Sequence, residues 1–272
     1  MAKKENYIFV DLDGTLLNDE KMVCDRNKRA INQALNEGHH VIVATGRPIQ
    51  SAIIGAKNVG LDCSGCYILA YNGGLIYDCT TKKVLYEKCL EREITTKLFE
   101  DARDCGLHIQ AYCQGKVWCE ADTEEVRKYH KSGSMPYEVH KNVPEEMTEE
   151  TQKCIVISFQ HDELVRFRDE KSDYYQGKAD SIFSTPEYLE YLPVGISKGN
   201  GIRKMAELLN FDMDQTIAIG DEENDISMIE AANLGVAMAN ATDKVKKAAN
   251  YVTTSDNNQG GVAEVIETFV LS

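Results

Sequence analysis

The chain has 272 residues, 43% of them hydrophobic, and 30 Lys and Arg stand against 44 Asp and Glu for a formal net charge of -14. That length allows a full core in one large or two modest domains, and that charge argues against nucleic acid or an anionic membrane surface as a partner, both of which call for clustered cations. No apolar run approaches the roughly 20 residues of a membrane span, and Tyr7–Val10 is too short for the apolar core of a signal peptide. The protein is therefore expected to be cytoplasmic. Nine scattered cysteines, an odd number, fit that compartment as reduced thiols. Cys63-Ser-Gly-Cys66 is the only CxxC pair; without a second pair to complete a zinc site it reads as two ordinary thiols.

Four short apolar runs share one design. Tyr7–Val10 ends at Asp11, Val41–Ala44 at Thr45-Gly46-Arg47, Tyr67–Ala70 at Tyr71-Asn72-Gly73-Gly74, and Thr216–Ile219 at Gly220-Asp221. Such runs, rich in Ile and Val and lacking polar alternation, are the strands of a parallel sheet buried on both faces. Asp25–Glu37 has helical spacing and stops at Gly38, so strand, helix and strand form a parallel crossover unit. Ligands of open parallel sheets bind beyond the carboxyl ends of the strands, where Asp11, Thr45, Asn72 and Asp221 are expected to converge.

From about Lys83 to Tyr191 the pattern changes. Val84–Cys89 and Leu107–Cys113 alternate, and charged helical stretches cover Glu91–Cys105 and Asp162–Tyr174. Alternation predicts an antiparallel sheet with one wet face and helices on the other. The segment 83–191 is read as an α+β domain inserted into a parallel α/β core formed by 1–82 and 192–272. Lys131–Pro136 reads as a loop, and His39 and His40, just before a strand, as surface residues. Trp118 and the tyrosines at 112, 188 and 191 are read as packing residues of the inserted domain rather than platforms for a ligand.

The chemistry concentrates at two strand ends. Val10-Asp11-Leu12-Asp13-Gly14-Thr15 places two carboxylates one residue apart, on one side of the chain if the extended path continues. Gly220-Asp221-Glu222-Glu223-Asn224-Asp225 adds more acids at the same sheet edge. Helix capping accounts for one such acid, but carboxylates gathered from two strand ends need protons or a cation. Oxygen-only ligands with room for water suit Mg2+. With a cation screening Asp11 and Asp13, Asp11 is free to act as a nucleophile toward a phosphate. Without the cation, raised carboxyl pKa values are expected for Asp11, Asp13, Asp221 and Asp225.

Asp11–Leu17, Thr45-Gly-Arg47, Lys198 and Gly220–Asp225 together resemble the four ordered motifs of the haloacid dehalogenase-like phosphatases. Ala70–Gly74 and Gly195–Gly201, with the insertion between the second and third motifs, are similar to the Cof-type branch. The resemblance spans essentially the whole chain and implies a Rossmann-like core with an inserted cap that closes over the crevice. It implies that Asp11 attacks phosphorus and forms an aspartyl-phosphate. By the same resemblance, Asp13 would first protonate the leaving oxygen and then deprotonate the water that hydrolyses the intermediate. Mg2+ would be held by the Asp11 carboxylate, the Asp13 backbone carbonyl and Asp221, with Asp225 either orienting water or Lys198 from behind or ligating the ion directly. Thr45, Gly46, Lys198 and Asn224 would hold the phosphate, with Asn72 beside them. Arg47 is assigned either to the substrate or to neutralising neighbouring acids. The expected partner is a small phosphorylated metabolite, a sugar phosphate or a cofactor phosphate. A phosphomutase of the same superfamily and a non-catalytic sensor of a phosphorylated ligand are the alternatives, and no motif speaks to oligomeric state.

Overall fold

The computed structural model describes residues 5–133 and 135–271. Its first five strands are β1 (Tyr7–Val10), β2 (His40–Ala44), β3 (Cys66–Ala70), β4 (Leu75–Asp78) and β5 (Lys83–Glu87). Next come β6 (His108–Cys113), β7 (Lys116–Cys119), β8 (Tyr137–Val139), β9 (Cys154–Ile157), β10 (Ala179–Thr185) and β11 (Tyr188–Pro193). The last three are β12 (Thr216–Gly220), β13 (Leu234–Ala237) and β14 (Tyr251–Val252). Residue contacts group Glu87–Ile196 into one compact unit and the flanking segments into another.

The flanking segments form an eight-stranded sheet in the order β14-β13-β12-β1-β2-β3-β4-β5. The strands from β14 to β3 are parallel, and β4 pairs antiparallel with β3. The apolar runs that read as doubly buried strands are so. Tyr7, Phe9, Ile42, Leu69 and Ala218 pack with Ile202 and Met205 of the helix Lys198–Leu209. The alternate residues Ile8, Val10, Val41 and Val43 are equally sealed from water. His39 is not at the surface: it is buried, and its Nδ1 accepts from the Asn6 backbone N–H at 3.0 Å. His40 stacks on Tyr7 with ring centroids 4.4 Å apart.

β5 departs from the sequence reading. Its alternation placed Val84–Cys89 in the inserted domain, yet β5 lies beside β4 at the edge of the first sheet. An edge strand with one wet face produces the same alternation as a strand of an antiparallel sheet. The compact inserted unit accordingly starts at Glu87 and ends at Ile196, later at both ends than 83–191.

The inserted unit has a six-stranded sheet in the order β10-β11-β9-β6-β7-β8, antiparallel except for the parallel pair β7 and β8. One face packs Ile109, Val156, Tyr191 and Trp118 against Leu98 and Phe99 of the helix Arg92–Asp104 and Leu164 and Phe167 of the helix His161–Tyr175. The opposite face is not simply wet. His108, Gln110 and Tyr112 of β6 are buried, and the helix Glu124–Gly133 packs on that strand. Tyr112 and Tyr129 hydroxyls are hydrogen-bonded, Tyr188 meets the Tyr129 ring edge-on, and Lys153 pairs with Glu190 at 2.7 Å. The same helix takes up Lys131–Gly133 of the segment read as a loop; Ser134 lies outside the described residues.

Phe9 is fully buried in the first unit. Phe9→Ala is expected to lower unfolding free energy by about 3–5 kcal/mol in urea titrations, because a central strand cannot collapse into the void.

Candidate active site

The parallel order of β12, β1 and β2 puts their carboxyl ends side by side, so the residues that follow each strand share one edge. Asp11 follows β1, Thr45 follows β2, and Asp221 follows β12. Asp11 stays bound to the strand system through its N–H, which donates to the Ile219 carbonyl at 3.0 Å. The chain then leaves the extended path. Leu16 N–H donates back to the Asp11 carbonyl at 3.1 Å and Leu17 N–H to the Leu12 carbonyl at 2.8 Å. This turn gives the Asp11 and Asp13 carboxylates different partners.

Lys198 is the hub. It opens the helix Lys198–Leu209, whose start is capped by Ser197 accepting from the Asn200 N–H at 3.1 Å. Its side chain is fully buried, and Nζ donates to Asp11 Oδ1 and to Asp225 Oδ1, each at 2.5 Å. The second Asp225 oxygen accepts from the Asp221 N–H at 2.9 Å and the Glu222 N–H at 3.1 Å. Asp225 therefore fixes the loop after β12 and the lysine at once. Gly220 is required there: a Cβ on it would fall 2.5 Å from Asp225 Cβ. Asp221 completes the group, with Oδ1 accepting from the Thr15 hydroxyl at 2.6 Å.

One oxygen from each of Asp11, Asp221 and Asp225 lies within 4.8 Å of the others, and all three residues are buried. Three carboxylates and one ammonium leave a formal excess of two negative charges. Burial pushes Asp11 up to about 8, against the pull of Lys198 and with the repulsion of Asp225 and Asp221 adding to it. Burial likewise pushes Asp221 up to about 6, opposed by the Thr15 hydrogen bond. Burial works against the Lys198 ammonium, but Asp11 and Asp225 outweigh it and hold the lysine protonated. Among the described residues, Asp11 Oδ2 and Asp221 Oδ2 accept no hydrogen bond. An all-oxygen donor set with two spare oxygens and two uncompensated charges fits a hard divalent cation.

Asp13 behaves differently from the expectation of a raised carboxyl. Burial would raise it, but hydrogen bonds from Arg47 and Lys21 prevail and lower it. Arg47 grips it in a fork, Nε to Oδ2 at 2.9 Å and Nη2 to Oδ1 at 2.7 Å, and Lys21 Nζ reaches Oδ1 at 2.9 Å. Of the two roles open to Arg47, the contact seen is neutralisation of an acid. Thr45 is buried and accepts the Arg47 N–H at 3.2 Å. Asn72 donates its N–H to the Thr45 carbonyl at 3.0 Å and accepts from Asn224 Nδ2 at 3.3 Å, and its side chain lies against Gly46. These residues line the same edge. Thr15, Lys21 and Asn240, whose Nδ2 donates to the Gly14 carbonyl at 2.8 Å, received no role in the sequence reading. Thr15 had a usable signal, a hydroxyl inside the first acidic motif; Lys21 and Asn240 had none.

A family model described as haloacid dehalogenase-like hydrolase matches residues 8–266. The chain belongs to the haloacid dehalogenase-like hydrolases. A haloacid dehalogenase-like hydrolase from Bacteroides thetaiotaomicron superposes with a TM-score of 0.89 at 34% identity, covering 97% of this chain and 99% of that one. The 5-amino-6-(5-phospho-D-ribitylamino)uracil phosphatase YcsE of Bacillus subtilis is 29% identical over 97% of this chain and 95% of its own. The pyridoxal phosphate phosphatase YbhA of Escherichia coli is 28% identical over 97% and 98%. Among the described residues of this hydrolase, no helix is long and apolar enough to cross a membrane.

The raised carboxylates make a signed prediction. Asp11 and Asp221 bind protons in the folded chain that the unfolded chain has released near pH 4, so their contribution is complete below that pH. It is lost as pH rises through about 6 for Asp221 and about 8 for Asp11. Without metal, the stability of wild type relative to Asp11→Asn should fall from pH 4 to 8, by on the order of 1 kcal/mol per pH unit at most. Unfolding titrations across that range check it, and parallel curves would contradict it.

Proposed function

We propose that this hydrolase is a Mg2+-dependent phosphatase that hydrolyses small phosphorylated metabolites, sugar phosphates or cofactor phosphates, through an aspartyl-phosphate on Asp11. The observation that carries the proposal is the buried lysine shared by Asp11 and Asp225 beside Asp221. Acids that serve only as caps or surface charges have no need of a fully buried ammonium. Asp11, the Asp13 carbonyl and Asp221 would hold the ion, and Asp225, saturated by Lys198 and two N–H groups, would support from behind. The cation supplies charge neutralisation of the phosphate and of the carboxylate that attacks it.

In the first step the Asp11 carboxylate attacks phosphorus in line, and Lys198 balances charge gathering on the phosphoryl oxygens. Thr45, Gly46 and Asn224, with Asn72 behind them, hold the phosphate in place. Asp13 delivers a proton to the leaving oxygen and then takes one from the water that opens the acyl phosphate. The ionised Asp13 is ready for the second duty. For the first it must be loosened from Lys21 and Arg47, so those two cations set the timing of proton transfer. The inserted unit, Glu87–Ile196, is proposed as the domain that selects the leaving group. In it Lys116 pairs with Glu138, Lys128 with Glu187 and Arg168 with Asp169, so these cations form no common phosphate cluster of the kind a mutase needs. Two relatives named for phosphate esters of a ribitylaminouracil and of pyridoxal make cofactor phosphates the first compounds to assay.

Wild type is expected to release phosphate from a small aryl phosphate only with Mg2+, and Asp11→Asn to lose at least about a thousandfold in kcat/KM. Equal rates for the two proteins would overturn the proposal, and interconversion of sugar phosphate isomers without phosphate release would point to a mutase. Lys21→Met should raise the Asp13 pKa and move the basic limb of the kcat/KM profile, where the acid that protonates the leaving oxygen is lost, to higher pH. An unmoved limb would remove Lys21 from the proton-transfer step.

A further inference from the structure

The CxxC pair lies outside the acidic site, at the entry to β3. Cys66 N–H donates to the Cys63 carbonyl at 3.2 Å, closing a tight turn in which Gly65 takes φ +83°, a conformation open chiefly to glycine. The turn brings the two Sγ atoms to 3.6 Å. Cys63 is exposed and Cys66 is buried. Among the described residues, no cluster of three metal-ligating side chains includes these thiols.

We propose that Cys63 and Cys66 form a reversible intrachain disulfide, with Cys63 as the entry thiol and a low-molecular-weight disulfide as oxidant. The Cys63 thiolate attacks one sulfur of the oxidant, forming a mixed disulfide and expelling one thiolate. Cys66 then loses its proton and attacks the Cys63 sulfur, forming the Cys63–Cys66 bond and expelling the second thiolate. The protein gives up two electrons and two protons, and the small disulfide becomes two thiols.

Geometry favours the second step over competing ones. The sulfurs close from 3.6 Å to about 2.05 Å within a turn that already holds both residues. A preformed turn also gives Cys66 a high effective concentration at the mixed disulfide. Burial pushes the Cys66 thiol up, so exchange begins at the exposed partner. Cys79 is nearby through its N–H to the Cys66 carbonyl at 3.2 Å, and burial pushes its thiol up to about 12, which leaves it a poor competitor.

The test uses the full chain equilibrated in glutathione redox buffers, quenched with acid, alkylated, digested and weighed by mass spectrometry. Wild type should lose two of its nine alkylatable thiols, both within the Cys63–Cys66 peptide, and Cys79→Ser should do the same. Cys66→Ser should stop at a glutathione adduct on Cys63, at least tenfold more abundant than in wild type. The proposal is overturned if both thiols remain alkylatable at the oxidising end. It is equally overturned if Cys63 pairs with Cys79, or if wild type accumulates as much adduct as Cys66→Ser.

Discussion

A fully buried ammonium wedged between two aspartates imposes a condition on everything around it. Removing Lys198, Asp11 and Asp225 from water carries a desolvation penalty that only close contacts and further hydrogen bonds can offset. Asp225 meets the condition with two N–H donors besides the lysine. Asp11 and Asp221 do not, and burial, with the repulsion of neighbouring carboxylates added to it, keeps both carboxyls well above their ordinary range. A binding site for positive charge is in this sense an unfinished neutralisation, and its location follows from which carboxylate oxygens lack partners.

The sheet supplies the precision such a site needs. Side chains at the ends of adjacent parallel strands are held by backbone ladders, not by their own long stems. Close approach of the connecting segments does the rest. Gly73, at φ +101°, leaves so little room that a Cβ would collide with the Ser197 carbonyl, which brings the turn holding Asn72 against the start of the Lys198 helix. Asn72 itself adopts φ 54°, and its contact with Asn224 ties the loop after β12 to the turn after β3. The neighbours of Asp11 are therefore set by main-chain packing from four separate segments.

Much of this was legible in the sequence, and the parts that were not share a cause. Tyr7–Val10, Val41–Ala44, Tyr67–Ala70 and Thr216–Ile219 are apolar without alternation and end at polar or glycine residues, a pattern few other structures produce. The observed strands differ from them by at most one residue at an end. Asp11, Lys198 and Asp221 were legible as candidates because each sits where a strand or helix begins or ends. Partnership was harder to read. Nothing local distinguishes Lys21, an exposed lysine in a turn, from any other, yet with Arg47 it holds the Asp13 carboxyl below its ordinary range. β5 could not be assigned to a sheet, since pairing is non-local while alternation is local. The helix Glu124–Gly133 is strongly charged, and its apolar face is carried by only Val126 and Tyr129, three residues apart, too short a signal to assign it to a sheet face beforehand.

The central claim is that Asp11 and Asp221 share a divalent cation while Lys198 stays between Asp11 and Asp225. Crystals soaked in Mn2+, which takes the same oxygen ligands, allow the ion to be located by its anomalous scattering. The account predicts one strong peak in contact with the Asp11 and Asp221 carboxylates, with the Lys198 bridge intact. A peak bound by Asp225 with the lysine displaced, or none near Asp11 at saturating Mn2+, would contradict it.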